Sequence, residues 1–382
     1  MSESTAVSSH TEMDVEKFKE PSSTYHMLGG DDPHSYAQNS EYQKQLVVSA
    51  EEWICKLIDK HLDIEKPAFD PYMTFRIADF GCSIGPNTFF AIENIIKAVE
   101  NKYKYNIKNP RIPEYHVFFN DHVDNDFNTL FRNIPTTRKY FPAGVPGSFH
   151  GRLFPNTTLH FAHCSTALHW LSRIPKEVIE VNSIAFNKGR IHYGGAAKEV
   201  KDAYSTQYRK DIDSFLSARA QELVLEGLMV LVILCFPDGV PPSESSIGIG
   251  FDIFGSCLED MARTGKITEE QVDSFNLPFY YPSPSELKAL IEENGCFTLE
   301  RIERLISPMK IEKPNLKIVT KGCVSHLRAV IGGLVKEHFG NEIVEELFQL
   351  HMKKLGENPM MFDEKYRKET NYFLFLKQKS HL

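Results

Sequence analysis

Residues 75–99 hold the feature that most constrains the fold: a short apolar run, a glycine turn and an amphipathic stretch in direct succession. Phe75, Ile77, Ala78 and Phe80 make the run, Asp79 is its one acid, and Gly81 ends it. Gly85 follows, and Pro86 opens a stretch carrying Phe89, Ile92, Ile95, Ile96 and Val99 at helical spacing. This order predicts strand, tight turn and helix, the repeating unit of layered α/β proteins. Glycine permits the turn and a close approach of ligand to backbone. Proline suits a first helical turn, and ligands of open α/β sheets sit at the carboxyl ends of strands.

The turn is not a phosphate cradle. It lacks the Gly-x-Gly-x-x-Gly spacing of dinucleotide sites and the Gly-Lys-Ser/Thr of a P-loop. A glycine loop after Asp79 suits S-adenosylmethionine, whose sulfonium and amino-acid tail carry no phosphate. The fragment alone fits equally a tight turn that binds nothing. A second acidic strand end adds weight. Tyr115, Val117 and Phe119 alternate as in a strand that ends at Asp121, and an acid at that place hydrogen-bonds ribose in nucleotide-binding sheets. Capping of a helix over 126–131 is the alternative role for Asp121.

At this point the chain resembles the plant SABATH family of S-adenosylmethionine-dependent methyltransferases, which act mostly on small-molecule carboxyl groups. The matching segments are Met27-Leu28-Gly29-Gly30, Ser35-Tyr36, Asn39-Ser40, Tyr42-Gln43, Ala78-Asp79-Phe80-Gly81-Cys82-Ser83 and Gly85-Pro86-Asn87-Thr88. They continue with Phe119-Asn120-Asp121, Asn125-Asp126-Phe127-Asn128, Val145-Pro146-Gly147-Ser148-Phe149, His169-Trp170-Leu171-Ser172 and Asp273-Ser274-Phe275-Asn276-Leu277-Pro278. The similarity is strongest to the iridoid-acid branch, mainly over residues 116–176.

The resemblance implies a Rossmann-like class I methyltransferase sheet (α/β) with a mostly helical cap. It implies cofactor contacts from Tyr36, Gln43, Asp79, Gly81, Cys82, Asn87, Asp121, His122, Ser148 and Phe149. Of these, Asp121 would take the ribose hydroxyls, Ser148 the adenine edge and Phe149 its face. It assigns the acceptor carboxylate to Gln43, His169 and Trp170. It also implies a magnesium site of Asn187, Asp273, Phe275 (through its carbonyl) and Asn276, and a homodimer. Oxygen ligands suit such a hard cation, although from the residues alone 273–276 reads as a turn before Pro278.

Bulk properties agree with a small-molecule enzyme. The 382 residues are 42% hydrophobic and 25% charged, ordinary for a globular protein. A net charge of −8 argues against nucleic acid or an anionic membrane as partner. Seven cysteines without paired spacing read as reduced thiols of a cytoplasmic protein. The polar start has no apolar signal core, and residues 1–24 are expected to form a disordered tail. Residues 25–382 form the catalytic unit, with sheet core at about 45–236, 296–306 and 370–379 and cap at about 250–295 and 307–365. Ser40 is expected to cap a helix over 41–61 whose buried face holds Tyr42, Leu46, Ala50, Trp53 and Leu57. Helices are expected over 198–224, 251–264, 285–294, 320–338 and 341–355. Residues 158–164, 228–236, 297–304 and 371–377 read as further strands. Pro237, Gly239, Pro241 and Pro242 make 237–250 a loop.

Methyl transfer from a sulfonium is an in-line displacement, favoured by fixed geometry and exclusion of water. A carboxylate is already ionised at neutral pH. It needs orienting donors and dry walls, not a base. Two departures from the iridoid-acid pattern bear on the acceptor. Thr166 stands where a tyrosine is usual, and Phe251 where a polar histidine is usual. Both predict an acceptor bulkier or more apolar than a glucosylated iridoid acid. The candidates are the carboxylate of another terpenoid or aromatic acid and, alternatively, the acidic enol of a β-formyl ester in an indole alkaloid. A non-catalytic binding relative and a nitrogen methyltransferase are the remaining readings. Retention of Tyr36, Asp121 and Trp170 argues against the first of these. The His169–Trp170 pair with Gln43 argues against the second.

Overall fold

A computed structural model describes residues 25–70, 72–106, 111–306 and 315–379. The expected tail at 1–24 lies outside them. The expected unit is present as β1 (Phe75–Phe80), a turn at Gly81, and α2 (Asn87–Asn106), preceded by α1 (Glu41–His61). The chain continues through β2 (Tyr115–Asp121), α3 (Phe127–Arg132), β3 (Tyr140–Pro146) and β4 (Leu159–Ser165). Then follow α4 (Lys198–Glu222), β5 (Leu223–Cys235), α5 (Ser246–Arg263), α6 (Glu269–Ser274) and α7 (Pro284–Asn294). It ends with β6 (Phe297–Leu305), α8 (Leu316–Phe339), α9 (Asn341–Glu357) and β7 (Thr370–Gln378).

The seven strands lie in the order β3-β2-β1-β4-β5-β7-β6. The first five run parallel, and β7 pairs antiparallel with both β5 and β6. β1 and β4 are buried on both faces, as central parallel strands are. One face of the sheet is covered through Ile58, Ile92, Val99 and Phe375, the other through Tyr208, Phe215, Leu290 and Leu374. From β1 the chain moves outward to β2 and β3, then returns to β4 on the other side. The reversal between β1 and β4 is the crevice where such sheets bind ligands.

Several local expectations need correction. The Ser40 side chain does not cap α1; its Oγ and its carbonyl accept Asn87 Nδ2 at 3.0 and 3.1 Å. Asp126, not Asp121, caps α3, accepting from Thr129 N at 2.9 Å. Trp53 is only partly buried and lies under the Arg301 guanidinium. Tyr42 is 41% exposed. The loop expected over 237–250 ends early, because Ser245 accepts from Gly248 N at 3.0 Å and starts α5 at Ser246. β5 begins five residues before the expected start. α7, expected in the cap, buries Leu287, Leu290 and Ile291 in the sheet layer.

The cap is built from α5, α6, α8 and α9 around Phe254, Leu258, Ile331 and Leu347. By length and composition α8 is apolar enough to cross a membrane. Here it buries Val324, Ala329, Ile331, Val335 and Phe339 against its neighbours.

Candidate active site

A cavity of about 580 Å³ opens at the β1–β4 crevice, with the sheet as its floor and α5, α8 and α9 as its roof. Gly81 makes the floor possible. Its φ is +78°, and a Cβ there would lie 2.5 Å from the Ala167 Cβ. Asp79 lies beneath, with both carboxylate oxygens engaged. His163 Nδ1 sits 2.7 Å from Oδ1, and the Thr88 hydroxyl donates to Oδ2. At the end of β2, Asp121 Oδ2 accepts from Ser83 N at 2.7 Å and Oδ1 from His122 N at 2.8 Å. Burial still pushes its carboxyl above the usual range, as expected of an anion in a ligand crevice.

The segment Tyr25–Asn39 folds across this floor and explains the glycines near the start of the chain. Gly30 N donates to Asp126 Oδ2 at 3.0 Å, and a Cβ on Gly29 would lie 2.8 Å from the Asp126 Cβ. Leu28 N donates to the Ala329 carbonyl at 2.9 Å. The segment thereby brings Tyr36 over the crevice, where it shares the cavity lining with Thr166. Burial and the Asp121 charge keep that phenol protonated. Thr166 itself, just past β4, holds φ +54°, a strained value for a β-branched residue of the kind that collects at ligand sites.

The far wall is aromatic. Trp170 stacks on Tyr25 at 5.8 Å and meets the Phe279 edge at 4.4 Å. Phe251 stacks on Phe279 at 5.8 Å, and His169 on Tyr281 at 5.4 Å. Burial lowers the His169 imidazole to about 4, with His326 adding repulsion, and its Nδ1 has no hydrogen-bond partner. His326 Nδ1 lies 2.7 Å from the Asn39 carbonyl, which makes it the protonated nitrogen. Its Nε2 then accepts from Gln43 Nε2 at 3.4 Å. Gln43 keeps a second amide hydrogen, and its buried Oε1 is unpartnered. The Cys82 thiol lines the floor and is pushed far up by burial, so it is no nucleophile.

The cavity therefore brings together Tyr36, Gln43, Asp79, Gly81, Cys82, Asn87, Asp121, His122, Phe149, Thr166, His169, Trp170 and Phe251. Ser148 is not brought in; its Oγ accepts from His150 N at 3.4 Å instead. Tyr25, His163, Phe279, Tyr281, His326, His351, Glu369 and Asn371 also line it and escaped the sequence reading. They are scattered through the chain without a shared motif, and only the fold collects them.

The residue set assigned to magnesium lies outside the cavity lining. Asn187 Nδ2 donates to Asn276 Oδ1 at 2.7 Å, and the Tyr204 hydroxyl donates to the same oxygen at 3.3 Å. Asp273 Oδ1 accepts from Gly189 N at 2.7 Å. Within this set the Asn276 Nδ2 is buried and has no hydrogen-bond partner, so the two amides leave one polar atom unmet. No chemical step is assigned to a metal.

A family model described as SAM dependent carboxyl methyltransferase matches residues 22–379. The chain belongs to this family. The carboxyl methyltransferase is 50% identical to loganic acid O-methyltransferase of Catharanthus roseus, over 93% of its own length and 94% of that protein's. It is 44% identical to farnesoic acid carboxyl-O-methyltransferase of Arabidopsis thaliana, over 88% of this chain and 94% of the relative. The solved structure of loganic acid methyltransferase with SAH matches with a TM-score of 0.88, covering 93% of this chain and 99% of that one. The carboxyl methyltransferase is thus an enzyme that uses S-adenosylmethionine to methylate carboxyl oxygens of small metabolites, on the expected α/β sheet.

Proposed function

We propose that the acceptor is the carboxylate of a terpenoid or aromatic acid with a largely apolar body, converted to its methyl ester. When bound, S-adenosylmethionine supplies the methyl group as a sulfonium. Asp121, fixed by the Ser83 and His122 amides, receives the ribose hydroxyls. The Gly81 turn lets the backbone approach the amino-acid end, and Phe149 offers its ring to the adenine. Tyr36 closes this half of the cavity. The Gln43 amide and the Trp170 indole donate to the acceptor carboxylate without neutralising it. The aromatic wall excludes water, so those donors act in a low-dielectric chamber.

The observation that carries this reading is His169. An imidazole held at about 4 is neutral at pH 7 and a weak base. That suits an acceptor which arrives already ionised, as a carboxylate does at neutral pH. The apolar body is supported by Phe251, stacked into the wall where a polar side chain would bond a sugar. The seven free cysteines support a reducing, cytoplasmic setting. Sedimentation of the purified chain tests the homodimer.

The test is methyl transfer. The enzyme is incubated with cofactor carrying a labelled methyl group and a panel of acids, enols and xanthines. Label released by mild base as methanol is expected, from apolar acids before glucosylated ones. Label retained in a base-stable product of an enol or a xanthine would contradict the carboxylate reading.

A further inference from the structure

Four polar side chains of the cavity lining are left without work by methyl transfer. They are Ser246, His351, Glu369 and Asn371. Glu369 Oε1 accepts the Ser246 hydroxyl, while its buried Oε2 has no hydrogen-bond partner. Asn371 Nδ2 donates to the Tyr42 hydroxyl at 2.5 Å, while its Oδ1 has none. His351 is 2% exposed, and neither ring nitrogen has a partner. Burial lowers its imidazole to about 4, so the neutral ring offers one acceptor nitrogen. Glu369 acts electrostatically on both Tyr42 and Tyr281, and Tyr281 stacks on His169. Glu369 and Asn371 thus share the cavity lining with Tyr42 and Tyr281. Arg367 lines the same cavity, and its charge acts on Glu369.

Buried acceptors without partners are unfavourable. Three side chains with unmet acceptors around one chamber call for an occupant that supplies donors. We propose that Glu369, Asn371 and His351 form a second recognition subsite, which binds a hydrogen-bond-donating substituent of the acceptor, hydroxyl or amine, remote from the methylated oxygen. This rests on the carboxylate reading: Gln43 and Trp170 hold one end of the acid, the aromatic wall its body, and the Glu369 cluster its far end. A protonated amine needs the Glu369 charge, whereas a hydroxyl needs only an acceptor oxygen.

The test is calorimetry on the full chain with S-adenosylhomocysteine present, so that binding is read whether or not methyl is transferred. The probes are size-matched aromatic monocarboxylic acids: unsubstituted, with a distal hydroxyl, and with a distal amine. A donor-bearing acid is expected to bind roughly tenfold tighter than the plain one. Glu369→Leu should bring that ratio close to one. Glu369→Gln should keep the ratio for a hydroxyl and lose it for an amine. Equal binding of plain and donor-bearing acids by the native enzyme overturns the subsite, as does a ratio that Glu369→Leu leaves intact. Asn371→Leu carries the same test if the Glu369→Leu chain fails to fold. If no probe becomes a methyl ester with S-adenosylmethionine, the carboxylate reading fails while the binding ratios still decide the subsite.

Discussion

Arg219 Nη1 donates to the Phe149 carbonyl at 2.7 Å, and this bond ties a fully buried guanidinium to the loop that carries the aromatic ring beside the glycine turn. Arg219 Nη2 holds the Gly151 carbonyl at 2.7 Å, and Nε meets Glu222 Oε2 at 2.7 Å. Glu222 Oε1 in turn accepts from Leu153 N and Phe154 N. One buried ion pair thus fixes residues 149–154 from both sides. Breaking such a pair leaves a buried charge alone, at a cost of about 3–5 kcal/mol. Arg219→Met is expected to lose stability of that order by urea unfolding, together with affinity for S-adenosylhomocysteine. Arg219→Lys keeps the charge but not the planar fork, and is expected to fall between.

The buried histidines set a pH dependence of stability. Burial lowers His160, His169 and His351 to about 4, against 6.5 in a solvated chain. As pH falls, the unfolded chain takes up these protons first. Their contribution is complete above about pH 6.5 and is lost progressively towards pH 4, by about 1.4 kcal/mol per pH unit for each titrating histidine. The urea midpoint is expected to fall steadily across that window. Over pH 6–8, kcat/KM for an acid should stay flat, since neither His169 nor a carboxylate titrates there. A rise in kcat/KM centred near pH 7 would mean that a base is needed after all.

Phe251 is predicted to tune acceptor polarity. Its ring lies 5.4 Å from the His192 ring and 5.8 Å from Phe279. Phe251→His places a hydrogen-bonding group in the apolar wall. The ratio of kcat/KM for an apolar acid to that for a polyhydroxylated one is expected to fall by roughly tenfold. Steady-state kinetics with both acids checks it, and an unchanged ratio would remove Phe251 from the acceptor wall.

The sequence was legible where the pattern is local and repeated. β1, its turn and α2 follow from apolar spacing and two glycines, and Asp121 from alternation ending in an acid. β3 was missed because Pro142, Gly144 and Pro146 read as irregular chain, and edge position excuses them from burial. The start of α5 was hidden by prolines, although Ser245 carries the cap signal. Most of the cavity lining at the strand ends was recoverable because its residues lie in motifs there. The Glu369 cluster was not. Tyr42, His351 and Glu369 line one cavity only through tertiary packing of α1, α9 and the approach to β7, and no spacing in the chain announces it. Ser148, which a motif match named, stands just outside the cavity lining, its Oγ accepting from His150 N.

The most direct measurement is the acceptor KM of Trp170→Phe beside its cofactor affinity. Phenylalanine preserves an aromatic wall against Tyr25 and Phe279 but removes the indole N–H. The account predicts a KM for the acid raised by roughly tenfold or more, with S-adenosylhomocysteine affinity unchanged by calorimetry. Unchanged KM and kcat would mean that Trp170 only packs, and the carboxylate would have to be held elsewhere.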